Sequence, residues 1–176
     1  MNLNWISTQI FVVGIVIASL NAGSCTTPAA RCGDPHEQWG KARNGLQLRI
    51  WLNKPLIGPT DPISVCCAIR NISKSPRTAL HAYFWSNHIF RLTGPDGLPV
   101  KLTNAGEVVR KDAARGTFEK TFLYTIPPAG VDTDWPVENL RDYFMIKDTG
   151  RYFVECEYRN GAVTLTSNRM VLWIKK

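Results

Sequence analysis

Residues 148–156 read Asp148-Thr149-Gly150-Arg151-Tyr152-Phe153-Val154-Glu155-Cys156. Strand faces repeat every two residues, so Tyr152, Val154 and Cys156 share one face, and Glu155 and Glu157 share the other. The strand runs from Arg151 to Arg159. Asn160-Gly161 is a hairpin turn signal, and Val163 to Lys175 supplies the last strand or strands.

The same alternation extends toward the N-terminus. Leu46, Leu48, Ile50 and Leu52 alternate with Gln47, Arg49 and Trp51, a half-buried strand. Asn53 to Pro62 holds three prolines and Gly58 and reads as loop. Ile63, Val65, Cys67 and Ile69 then alternate with Ser64, Cys66, Ala68 and Arg70. Leu80 to Ser86 and Ile89 to Leu92 are rich in β-formers and run into Gly94-Pro95-Asp96-Gly97, a type I turn signal. Val100 and Leu102 resume a strand, and Phe118 to Ile126 is another. Ala129 to Lys147 reads as loop with one short helical turn around Val137 to Tyr143. No long 3.6-residue apolar period, repeat or low-complexity segment is visible. About seven or eight short strands separated by turn signals predict an all-β chain, an antiparallel β-sandwich.

The motif Asp148, Gly150, Tyr152 resembles the tyrosine corner of immunoglobulin-like domains, in which the Tyr hydroxyl bonds back to backbone. In antibody-type domains the second Cys stands two residues after that Tyr, the place held here by Val154. Trp39-Gly40, Asn44-Gly45-Leu46, Asp61-Pro62-Ile63, Arg70-Asn71, Gly94-Pro95-Asp96-Gly97 and Pro128-Ala129-Gly130 follow in an order similar to bacterial exported immunoglobulin-like domains. The layout also resembles a bacterial proteinase-inhibitor sandwich family. These are turn and corner residues, and they imply a fold rather than a function.

The chain has 176 residues, 44% of them hydrophobic and 10% aromatic, which fits one globular domain plus an appendage. It is too short for separate cofactor and substrate domains. Met1 to Ser24 contains no Lys, Arg, Asp or Glu, and Ile10 to Leu20 is an apolar run of signal-peptide length followed by Ala22, Gly23 and Ser24. The reading is a signal peptide over residues 1–24, a Pro-rich tether over 25–40 and an immunoglobulin-like sandwich over 41–176. Ala22-Gly23-Ser24-Cys25 also looks like a lipobox, so Cys25 is either the first residue after simple cleavage or a lipidation site.

Export places the five cysteines in oxidising surroundings, where disulfides are expected before metal ligation. If Cys25 carries lipid, Cys32, Cys66, Cys67 and Cys156 remain to pair in one of three connectivities. Cys67 and Cys156 sit on inward faces and form the expected core bridge, which frees Cys66 on the opposite face to hold Cys32 and the tether. The alternative is buried thiols packed as small hydrophobes.

Other candidates have plainer readings beside them. Glu155 and Glu157 lie about 7 Å apart along a strand, a spacing for acid/base work or for a solvated face balanced by Arg and Lys. Asp132 and Asp134 form a weak calcium pattern. Asn71-Ile72-Ser73 fits a glycosylation acceptor. Trp51 and Trp135 are candidates for a stacking platform, and packing explains Trp51 equally well. No nucleophile elbow, phosphate loop or metal-ligand motif appears.

The net charge of +7 is spread over the sequence, which suits solubility and loose attraction to acidic polymers. Export disfavours nucleic acid as a partner. The expected function is a non-catalytic binding or assembly module of the bacterial envelope, exported or lipid-anchored, meeting a protein or polysaccharide. It needs no cofactor, touches membrane only through its signal or lipid, and works as a monomeric domain. The alternative is a proteinase inhibitor acting through an exposed loop such as Leu102 to Thr117.

Overall fold

The computed structural model describes residues 38–81, 87–115, 122–137 and 139–176. The signal segment, Cys25, Cys32 and most of the tether lie outside these residues. Among the described residues no helix is long and apolar enough to cross a membrane.

The chain folds as an all-β sandwich. In β1 (Leu46–Leu52) the apolar positions Leu46, Leu48, Ile50 and Leu52 point inward and are buried. β1 runs antiparallel to β3 (Val65–Asn71), from Leu46 opposite Asn71 to Leu52 opposite Val65. β7 (Val131–Val137) pairs with the other edge of β3, with a bulge between Cys67 and Ile69. These three strands form the first sheet, in the order β1-β3-β7.

The second sheet is built on β8 (Gly150–Asn160), whose length of 11 residues lets it pair with three partners. β5 (His88–Thr93) lines one side of it. The other side is shared between β10 (Met170–Ile174) and, past a tight turn at Gly161-Ala162, β9 (Val163–Thr166). The short β2 (Leu56–Ile57) adds parallel to β10. A separate pair, β4 (Arg77–His81) and β6 (Phe122–Ile126), runs antiparallel. The inward residues of β1 and β3 meet Phe90, Leu92, Val154, Cys156, Leu172 and Ile174 in one core. A fully buried Leu or Ile contributes about 1.5–3 kcal/mol, so this alternation is what holds the two sheets face to face.

Three expectations are corrected here. Residues Asn104–Arg115 are an α-helix, α1, not an exposed loop. Thr103 caps it by accepting from the Gly106 N–H at 3.1 Å, and the same hydroxyl donates to the Asp142 carbonyl at 2.7 Å. A side chain at Gly106 would collide with the Tyr143 carbonyl, so glycine lets the helix settle. Only Gly106 and Ala113 are buried, which leaves no apolar stripe to read in the sequence. A helix spends its backbone hydrogen bonds internally, so Asn104–Arg115 cannot lie extended in a protease cleft as an inhibitory loop does.

Within the expected loop of 129–147, residues 131–137 are strand β7, and Leu140–Asp142 form a 3₁₀ turn capped by Asn139. β7 is an edge strand, where Pro136 is tolerated because its missing N–H is not needed. Finally, the end of the expected tether belongs to the domain. The Gly40 N–H donates to the Leu48 carbonyl at 2.9 Å, and a Cβ at Gly40 would run into the Thr166 carbonyl.

Candidate functional site

The outward face of the second sheet gathers side chains that the core does not use. On β8, Arg151, Phe153, Glu155 and Glu157 alternate with the buried Tyr152, Val154, Cys156 and Tyr158. The register of β10 sets Trp173 opposite Arg151 and Val171 opposite Phe153, and β2 sets Leu56 opposite Trp173. Trp173, Leu56 and Val171 are 48%, 46% and 37% exposed. Two arginines lie over the rings. Arg169 Cζ is 3.9 Å from the Phe153 centroid, and Arg151 Cζ is 5.0 Å from Phe153 and 6.0 Å from Trp173. Such contacts hold a guanidinium by the quadrupole of the ring and contribute about 0.5–1 kcal/mol at exposed sites.

The far end of the face is closed by an ion pair, Arg91 Nη2 to Glu157 Oε1 at 2.8 Å. Arg91 stands opposite Glu155 in the β5–β8 register. One carboxylate of the Glu155/Glu157 pair is therefore claimed by an arginine and is not free for acid/base work.

The sequence pointed elsewhere for a platform. Trp51 is half-buried on the outward face of β1, and Arg49 Cζ lies 5.4 Å from its ring and 5.9 Å from that of Trp39. Arg70 Cζ stacks on Trp39 at 4.2 Å. Trp51 thus belongs to a packed ladder of arginines and tryptophans. The side chains of Trp135 and Asp134 lie outside the described residues. The missed residues, Phe153, Val171 and Trp173, had one signal: they are apolar out of phase with the buried positions of their own strands.

The cysteines are placed as follows. Cys67 and Cys156 meet across the core, but as buried free thiols rather than as the expected bridge. Both thiols are enclosed by the apolar core and pack there as small hydrophobes. Burial pushes the Cys156 thiol well above its usual range, and its hydrogen bond with Cys67 adds to the shift. Cys66 is buried on the other face of β3. Its expected partner Cys32, and Cys25, lie outside the described residues.

At the Asp148, Gly150, Tyr152 motif the Tyr152 hydroxyl donates to the Asp148 carbonyl at 2.8 Å. Gly150 takes φ 134°, a conformation that glycine alone adopts readily, and its Cα faces the Pro95 ring with no room for a Cβ. Burial, then the nearby Asp148 charge, holds the Tyr152 phenol above its ordinary value. Tyr158 does similar work deeper in the core. Its hydroxyl donates to the Leu80 carbonyl at 2.6 Å and accepts from the Leu80 N–H at 2.9 Å, which ties β4 to β8.

Two further sequence candidates have structural employment. Asn71 is buried, and its amide donates to the carbonyls of Ser75, Ile126 and Pro127 while accepting from Ser73. That amide holds a turn and is not available as a glycan acceptor. Asp132 sits in a strand against the Tyr124 hydroxyl, and burial followed by that hydrogen bond pushes the Tyr124 phenol up. Among the described residues no group of three or more His, Cys, Asp or Glu could hold a metal ion.

No protein-family model matches the chain, and no curated protein matches it. Among solved structures it is similar to the C-terminal domain of Wzt at 13% identity and TM-score 0.45, over 81% of this chain and 80% of that one. A β-glucosidase from Listeria innocua, in complex with glucose, is similar at 11% identity and TM-score 0.38, and the chain spans only 16% of that enzyme. These identities and scores are too low to carry an argument about function.

Proposed function

We propose that the chain is a non-catalytic binding module of immunoglobulin-like type, exported to a bacterial envelope, and that it meets its ligand with the outward face of β8 and β10. The observation that carries this reading is the set of exposed apolar side chains, Trp173, Val171 and Leu56, gathered on one sheet face with two stacked arginines. A contiguous exposed apolar patch on a small domain marks an interaction site more often than a packing accident. Maturation at Cys25, with or without lipid, and a Cys32–Cys66 bridge would tether this module at its N-terminal side. The bridge is supported by Cys66, which is disulfide-bonded whereas the other described cysteines are free thiols.

Co-sedimentation of the full chain with purified bacterial envelope fragments tests the reading. Trp173→Ala, an exposed substitution, is expected to lower the bound fraction at least fivefold with an unchanged melting midpoint. Equal sedimentation of both proteins would overturn the assignment of this face.

A further inference from the structure

The binding face carries positive charge that its own acids do not match. Arg91 is matched by Glu157, whereas Arg151 and Arg169 enter no ion pair among the described residues and are both exposed. Glu155 is the one other carboxylate on this face of β8, and among the described residues it makes no ion pair with either arginine. Each of the two arginines is restrained by a ring, which lowers the entropy lost when its N–H groups engage a ligand.

Size narrows the partner. A stable protein interface covers roughly 800 Å² on each side, far more than three exposed apolar side chains provide. Register places the Trp173/Arg151 row and the Val171/Phe153 row about 7 Å apart, with about 5 Å between the two strands. A patch of that size takes one or two units of a chain-like ligand. Flat rings suit the C–H faces of a sugar, and guanidinium forks suit carboxylates, which they bind with paired N–H donors.

Resting on the face proposed above, we infer that the ligand is an acidic glycan, a polymer of carboxylate-bearing sugars. A sugar ring stacks on the exposed Trp173, and Arg151 and Arg169, held against the Phe153 ring, take the carboxylates.

The test is titration calorimetry of the full chain with polygalacturonate and alginate, and with the methyl ester of each. It is run in about 100 mM salt, where charges more than about 10 Å apart are largely screened. A polyuronate is expected to bind, its ester at least tenfold more weakly. Arg151→Gln with Arg169→Gln should weaken binding at least tenfold. Lys111→Gln with Arg115→Gln, which removes the same charge from α1, should change it less than twofold. Equal loss in both double variants would mean diffuse charge attraction and overturn the inference. Esters that bind as tightly as the acids, with loss on Trp173→Ala, would sink the acidic ligand and leave the face standing. Failure of both polyuronates to bind would also overturn the inference, and the envelope experiment would still decide the face.

Discussion

The side-chain amide of Asn168 pairs with both backbone groups of Ile50. Its Oδ1 accepts from the Ile50 N–H at 2.8 Å, and its Nδ2 donates to the Ile50 carbonyl at 3.0 Å. Asn168 follows β9 and Ile50 lies on the edge strand β1, so one amide stands in for a missing strand and joins the two sheets. An unpaired edge is costly when buried, and Ile50 is fully buried.

Asn168→Ala is therefore expected to cost about 2 kcal/mol, because it leaves two buried backbone groups without partners. Urea denaturation measures it. A midpoint unchanged within error would show that the pairing adds nothing.

Cys67 and Cys156 give a prediction about reactivity. The thiolate is the nucleophile, and burial holds the Cys156 thiol well above its usual range. At about pH 8 both thiols should resist a soluble thiol reagent in the folded chain and react once it is unfolded. Rapid labelling of the folded chain, or a Cys67–Cys156 link in an unreduced peptide map, would contradict the thiol pair.

Tyr124, Tyr152 and Tyr158 are all held above the ordinary phenol range, with burial the largest cause in each. A phenol whose folded pKa is raised keeps its proton longer folded than unfolded. Its stabilisation is complete below about pH 10 and is lost as the pH rises beyond that toward the folded value. The contribution of these phenols to stability should thus fall only above about pH 10, with the phenolates appearing as the chain unfolds. A full phenolate signal from all five tyrosines in a chain that keeps its circular dichroism would contradict this.

The strands that were legible are those with one face buried and one wet. β1 and β8 alternate because burial acts on every second residue, and the eye finds that period directly. Helix α1 was hidden for the opposite reason. It docks through a glycine, an alanine and the Arg110 bond to the Phe90 carbonyl, none of which leaves an apolar period. β7 was read as loop because Pro136 and two aspartates are poor strand formers, acceptable only at a sheet edge. The binding face needed the register. Phe153 and Trp173 lie 20 positions apart in sequence, and only the antiparallel pairing of β8 with β10 makes them neighbours.

Hydroxyl-radical footprinting of the full chain, free and bound to envelope fragments, tests the central claim most directly. Binding through the outward face of β8 and β10 predicts that Phe153, Val171 and Trp173 lose reactivity together while Val108 on α1, exposed in the free chain, keeps its own. Protection of Val108 with Trp173 left fully reactive would contradict the account.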